Sequence, residues 1–194
     1  MELYILRHPR VAIDKGICYG QLDVPLGAKW IEEAASFAAR LPEKGFDRVY
    51  SSPSSRCRQL ADYLHPGQVQ VDARLQEVNF GHWEGRKWEE IPSEELDPWM
   101  QHFVQERPPG GESLADLYAR VQRFMGELRQ AADARTLLVG HAGVIRCIWA
   151  YLLEIPLQHV FKLPAEHDTI LQVQLAKNPA WDSIRSFTSE KLSS

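Results

Sequence analysis

Short continuous apolar runs alternate along this chain with longer stretches in which apolar residues recur every third or fourth position. Leu3-Tyr4-Ile5-Leu6 and residues 136–140 (TLLVG) read as strands buried on both faces, residues 47–52 as a further strand and residues 69–71 as a weak one. Between them, residues 26–41 place Trp30, Ala34, Phe37 and Leu41 on one helical face, with acids early and Arg40 late, as the helix dipole favours. Residues 55–64 form the next predicted helix, entered through a serine cap and Pro53. The segment around Ser93 to Glu106 predicts short helices broken at Pro98. Residues 114–132 predict a long helix with Leu114, Leu117, Val121, Phe124 and Leu128 inward, entered from a turn cluster that ends on Ser113. A last large helix begins at His141 and is closed by Pro156. Two late strands, 169–175 and 183–188, flank a hairpin loop.

The resulting order is α/β, with an antiparallel edge near the end of the chain. Residues 75–88 (LQEVNFGHWEGRKW) lose periodicity and gain Gly81 and Gly85, which predicts an ordered loop of the functional kind. No repeat or linker interrupts residues 1–194, so one domain is expected.

Four stretches then share one position. Arg7-His8 follows the first strand, the SSPSSR segment carrying Arg56 follows the second, and His141 follows the strand at 136–140, while residues 76–85 occupy the irregular loop. Carboxyl ends of parallel strands lie on one side of a sheet, so Arg7, His8, Arg56 and His141 are expected to converge there. A single histidine after a strand is ordinarily a hydrogen-bonded structural residue. Two histidines and two arginines at equivalent ends make an anion pocket the stronger reading.

Composition narrows the ligand only slightly. With 194 residues, 44% of them apolar, the chain can bury a sizeable core. Its formal net charge of -4 gives no support to nucleic acid or an anionic membrane as partner. Cys18, Cys57 and Cys147 are odd in number and form no CxxC pair, which suits a reducing compartment. The start MELYILRH lacks the features of a signal peptide, and the run from Val144 to Leu153 is too short to span a bilayer and carries Arg146. A cytoplasmic protein is expected. No HxH, HxxxH or dense Asp/His run is present, so no metal site and no cofactor are expected.

The segments LRH, YSSPSSRCRQLA, LQEVNFGHWEG and LVGHAGVIR resemble, in order, the successive motifs of the histidine phosphatase superfamily, also called phosphoglycerate-mutase-like. The resemblance covers residues 2 to about 150. It implies a three-layer α/β/α fold with a mixed, mostly parallel six-stranded sheet, and a phosphatase that hydrolyses a phosphomonoester through a phosphohistidine. By that similarity His8 is the nucleophile and Glu77 the general acid and base, while Arg7, Arg56 and His141 form the phosphate pocket. The residue types suit these roles. A neutral imidazole attacks near neutral pH, guanidinium groups keep their charge and offer forked donors, and a positioned acid helps an alkoxide leave. Glu84 is a second acid in the same loop, read equally well as a surface ion-pair partner.

Two positions depart from the family pattern. Pro9 stands where Arg-His-Gly is usual, removing one N–H, and Val11 stands where a small hydroxyl residue is usual. A noncatalytic phospho-ligand-binding protein therefore remains an alternative. The small bacterial α-ribazole phosphatase group resembles this chain most, through RHPR and GICYGQLDVPL, which implies a small nucleotide-like substrate such as α-ribazole 5'-phosphate. A phosphoglycerate mutase-type phosphotransferase, a broad-specificity sugar or acid phosphatase and a protein-phosphohistidine phosphatase stay open. Tyr19, His82, Trp83 and Trp88 could stack on a flat base or serve as packing. The expected partner is a small phosphorylated metabolite; the sequence leaves the oligomeric state open, a homodimer among the options.

Overall fold

A computed structural model describes residues 1–131 and 134–187. Six strands form one sheet: β1 (Glu2–Arg7), β2 (Arg48–Ser51), β3 (Val69–Val71), β4 (Arg135–Gly140), β5 (Ile170–Gln174) and β6 (Ser183–Phe187). Their order is β3-β2-β4-β1-β5-β6. The first four run parallel, whereas β5 pairs antiparallel with both β1 and β6. The sheet is thus mixed and mostly parallel, as the family resemblance implies.

Period-two alternation along β1 and β4 sends side chains to two cores. Leu3, Ile5 and Leu138 meet Leu117, Val121 and Phe124 of α4 (Leu114–Gln130) and Val144 and Ile148 of α5 (Ala142–Leu153). Tyr4, Leu6, Leu137 and Val139 instead meet Phe37 of α1 (Trp30–Ala38) and Leu60 of α2 (Ser55–Leu64). Helices therefore cover both faces, giving three layers. Ser113 enters α4 through a capping box with Asp116, and Glu154, at a φ of 52°, ends α5 two residues before Pro156.

Two expectations need correction. Helix α1 is shorter than residues 26–41, because residues 26 to 29 are drawn into the loop that pairs Leu26 with Val11. Pro98 does not break its segment: α3 (Ser93–His102) runs through it, at the loss of one backbone bond to Glu94. The loop at 75–88 is ordered, with 3-10 turns at Gly81–Trp83 and, just beyond, Trp88–Glu90. It builds a third small core from Cys18, Trp83 and Ile91, packed by Trp88 and Trp99. Ala132 and Thr188, placed in a helix and a strand by the pattern, lie outside the described residues. Among the described residues no helix is long and apolar enough to cross a membrane.

Candidate active site

Strand β1 ends at Arg7, and the β1/β4 ladder extends one residue further, through His8 N–H donating to the Gly140 carbonyl at 3.0 Å. This fixes His8 and His141 side by side at neighbouring strand ends. Their rings meet edge to face with centroids 5.1 Å apart, His8 being 2% exposed and His141 fully buried. Ring Nδ1 of His8 lies 2.7 Å from the Pro9 carbonyl oxygen. A carbonyl can only accept, so Nδ1 carries the proton and Nε2 the lone pair. Nε2 makes no hydrogen bond among the described residues. Burial, with Arg56, Arg7 and His167 nearby, holds the His8 imidazole well below its usual range, which keeps it neutral at neutral pH.

Arg56 is fully buried in the first turn of α2. It donates to the carbonyls of Gly20 at 2.6 Å and Leu22 at 2.9 Å, and approaches Nδ1 of His141 at 3.3 Å. His141 accepts there and donates from Nε2 to the Ser52 hydroxyl at 2.8 Å. Burial, then the cations around it, hold His141 well below its usual range too. Arg7 donates to the Ala165 carbonyl at 2.9 Å. Both arginines therefore have structural bonds that the sequence did not suggest. Each also keeps a buried Nε–H without a partner among the described residues, a donor that an anion would satisfy.

Glu77 reaches this centre from the loop. Its Oε2 accepts the Gly143 N–H at 3.0 Å and Oε1 accepts the Val78 N–H at 3.0 Å. The start of α5 is thus partly capped by a carboxylate. Arg120 holds the loop from beneath, donating to the carbonyls of Arg74, Gln76 and Glu77 while paired with Glu112. Glu84 is not an acid at the centre, and among the described residues it forms no ion pair: it accepts the backbone N–H groups of Gln21, Leu22 and Phe80. Gly20 is required at this crossing, since a β-carbon there would lie 1.9 Å from the Val78 carbonyl oxygen.

Beyond Glu77 and Gly143 opens a cavity of about 240 Å³. Its walls are mainly apolar and rich in aromatic rings, with Tyr19, Phe80, Trp88, Trp99, Phe103 and Phe161, while Glu77, Glu112 and Arg146 supply charge. Of the aromatics singled out in the sequence, Tyr19 and Trp88 line it. Trp83 is core, 1% exposed, with its indole N–H donating to Glu95 at 2.8 Å; His82 is exposed and outside the lining. Arg10 pairs with Glu33 on the surface, and Val11 forms a bridge to Leu26.

Sequence reasoning missed Ser52, Arg120 and His167. Ser52 lies inside a quoted motif; Arg120 shows as a cation within the apolar stripe of Leu117, Val121 and Phe124. His167 carries no motif, yet its ring stands 5.5 Å from that of His8. Among the described residues no group of three His, Cys, Asp or Glu side chains is arranged to hold a metal ion.

Comparison with known proteins matches this arrangement to a family. The family described as "Histidine phosphatase superfamily (branch 1)" matches residues 3–182. An adenosylcobalamin/alpha-ribazole phosphatase of Salmonella typhimurium is 30% identical over 164 residues, covering 80% of this chain and 81% of the relative. The crystal structure of alpha-ribazole phosphatase from Shigella flexneri shares the fold with a TM-score of 0.88, at 24% identity, over 97% of this chain and 96% of that one. A mycobacterial glucosyl-3-phosphoglycerate phosphatase shares it with a TM-score of 0.79, at 25% identity, over 96% and 97%. With a family match across nearly the whole chain and a relative of this identity and coverage, the chain belongs to the histidine phosphatase superfamily.

Proposed function

We propose that this protein is a phosphomonoesterase in which His8 carries the phosphoryl group and Glu77 serves as general acid and then base. The observation that carries the reading is the bond from His8 Nδ1–H to the Pro9 carbonyl, which leaves Nε2 as the nucleophilic nitrogen beside Arg56 and His141. Nε2 attacks phosphorus while the bond from phosphorus to the ester oxygen breaks, and Glu77 delivers a proton to the departing oxygen. Ionised Glu77 then takes a proton from water. The water oxygen attacks phosphorus, the P–N bond breaks, its electron pair returns to Nε2, and inorganic phosphate leaves. The two arginine Nε–H donors hold phosphoryl oxygens throughout.

The aromatic cavity next to Glu77 supports a flat leaving group, so the favoured substrate is a small nucleotide-like phosphate such as α-ribazole 5'-phosphate. The test has two arms. Alkaline quench of a reaction with 32P-labelled substrate should trap an acid-labile label on His8, absent from His8→Ala. A phosphate-release screen should rank α-ribazole 5'-phosphate above phosphoserine, phosphoglycerates and sugar phosphates. Turnover by purified His8→Ala overturns the mechanism, and preference for a small aliphatic acid phosphate overturns the substrate.

A further inference from the structure

The segment between α5 and β5 touches the centre twice, with opposite polarity. Ala165 accepts from the Arg7 guanidinium through its carbonyl, and His167 Nδ1 lies 2.9 Å from the His8 carbonyl oxygen. That oxygen can only accept, so Nδ1–H of His167 donates. The antiparallel β1/β5 pairing ends at Leu6 and Ile170, two residues before the place where His8 would face Asp168 across the ladder. A side chain thus supplies a bond to the His8 carbonyl just beyond the end of the pairing.

Rings matter as well as the bond. Two imidazoles stand edge-on to His8, His141 at 5.1 Å and His167 at 5.5 Å between centroids, with interplanar angles of 64° and 68°. The carbonyl that His167 holds belongs to the peptide joining His8 to Pro9, and the next carbonyl along is the one that accepts from His8 Nδ1. Pro9 has no N–H with which to fix that peptide itself. Rotation of this peptide would carry the Pro9 oxygen away from the ring.

We propose that His167 is a positioning residue: by holding the His8 carbonyl it fixes the His8–Pro9 peptide, and through the Pro9 oxygen it keeps the proton of His8 on Nδ1 and the lone pair on Nε2. The proposal rests on His8 being the nucleophile. His167 itself stays neutral near pH 7, because burial first and Arg7 next hold it down to about 4, with the His8 carbonyl and Glu33 opposing and Arg10 adding to the shift. A neutral ring with its proton on Nδ1 is the form that can make this bond.

The experiment compares His167→Ala with His167→Asn, whose side-chain amide N–H can reach the same oxygen. Long-range 1H–15N spectra of the imidazoles report the His8 tautomer, and steady-state kinetics on an aryl phosphate report kcat and KM. His167→Ala should mix the His8 tautomers and lower kcat roughly 10-fold, with KM within about two-fold of wild type, since small misplacements of a reacting group cost such factors. His167→Asn should restore the Nδ1–H tautomer and bring kcat within about three-fold. Wild-type kcat and an unchanged His8 tautomer in His167→Ala would overturn the proposal, as would a slow His167→Asn whose His8 tautomer matches wild type. If His167→Ala fails to fold, His167→Gln, with its donor displaced by one methylene, takes its place with the same readings. Turnover by His8→Ala, run alongside, would sink the nucleophile assignment, whereas the tautomer spectra read the positioning effect without any turnover.

Discussion

Glu77 and Gly143 are fitted to each other: the carboxylate accepts the glycine N–H at 3.0 Å, and a β-carbon on residue 143 would lie 2.2 Å from Oε1. The glycine is therefore a condition for the acid's position rather than a flexible joint. Alanine is a good helix former in the first turn of α5, so Gly143→Ala should fold while displacing the carboxylate. On alkyl phosphates kcat should fall about 10²-fold, the size of a lost general acid, and on activated aryl phosphates far less. Paired kinetics on the two substrate types, with circular dichroism to verify folding, check this; equal losses would remove the acid from the account.

Arg120 should matter to stability before activity. Its guanidinium donates to the carbonyls of Arg74, Gln76 and Glu77 and pairs with Glu112 in a partly buried setting. Arg120→Met keeps the stem against the helix but strips those donors, leaving partly buried acceptors unmatched. A loss of about 3 kcal/mol is expected in urea unfolding, with the slope against denaturant unchanged. A loss under 1 kcal/mol would mean that the loop is held by its own turns.

These residues also mark how far the sequence could be read. Continuous apolar runs at Leu3–Leu6 and 136–140, too short for helices and alternating with helical stretches, read as buried strands in a layered fold, so the sheet and the convergence of Arg7, His8, Arg56 and His141 at its edge were legible. Bonds from side chain to distant backbone were not. Nothing local to Arg56 announces that Gly20 and Leu22 will lie under its guanidinium, and nothing local to His167 announces His8. Pro98 misled because a proline's cost is one hydrogen bond and a local clash, which the surrounding turns of α3 can absorb.

Acid should unfold the protein through its imidazoles. Burial holds His8 and His141 well below the usual imidazole range and His167 down to about 4, whereas all three titrate near 6.5 when unfolded. From about pH 6.5 downward the unfolded chain binds more protons than the native one, so stability falls; the share from His167 levels off below about pH 4. His167→Asn removes one titrating ring. Its stability should decline less steeply across that window, by about 3 kcal/mol in total. Glu2, Asp72 and Asp116, lowered by bonds from Arg135, Arg74 and Ser113, lose their contribution at lower pH, near and below the ordinary carboxylate range. Urea midpoints measured from pH 7 to pH 4.5 separate the two sets, and identical slopes for wild type and His167→Asn would show that His167 takes up its proton in the native protein as readily as in the unfolded chain.

The cavity walls give the substrate reading its own test, because two tryptophans from the same loop have different work. Trp88 lies on the cavity, stacked on Trp99 with centroids 5.9 Å apart at 27°, whereas Trp83 is sealed in the third core. Removing an aromatic contact to a flat ligand costs about 0.5–1.5 kcal/mol beyond area, or roughly 2- to 13-fold. Trp88→Ala should therefore raise KM for a phosphate ester of a flat heteroaromatic nucleoside by roughly that factor. KM for a small aliphatic phosphate, which reaches only the arginines and histidines, should stay within two-fold. Trp83→Ala should instead lower stability by about 3–5 kcal/mol, as expected for a large buried aromatic. Equal rises in KM on both substrates with Trp88→Ala would mean that the cavity does not read the leaving group, and the substrate would have to be sought among small phosphorylated acids and sugars.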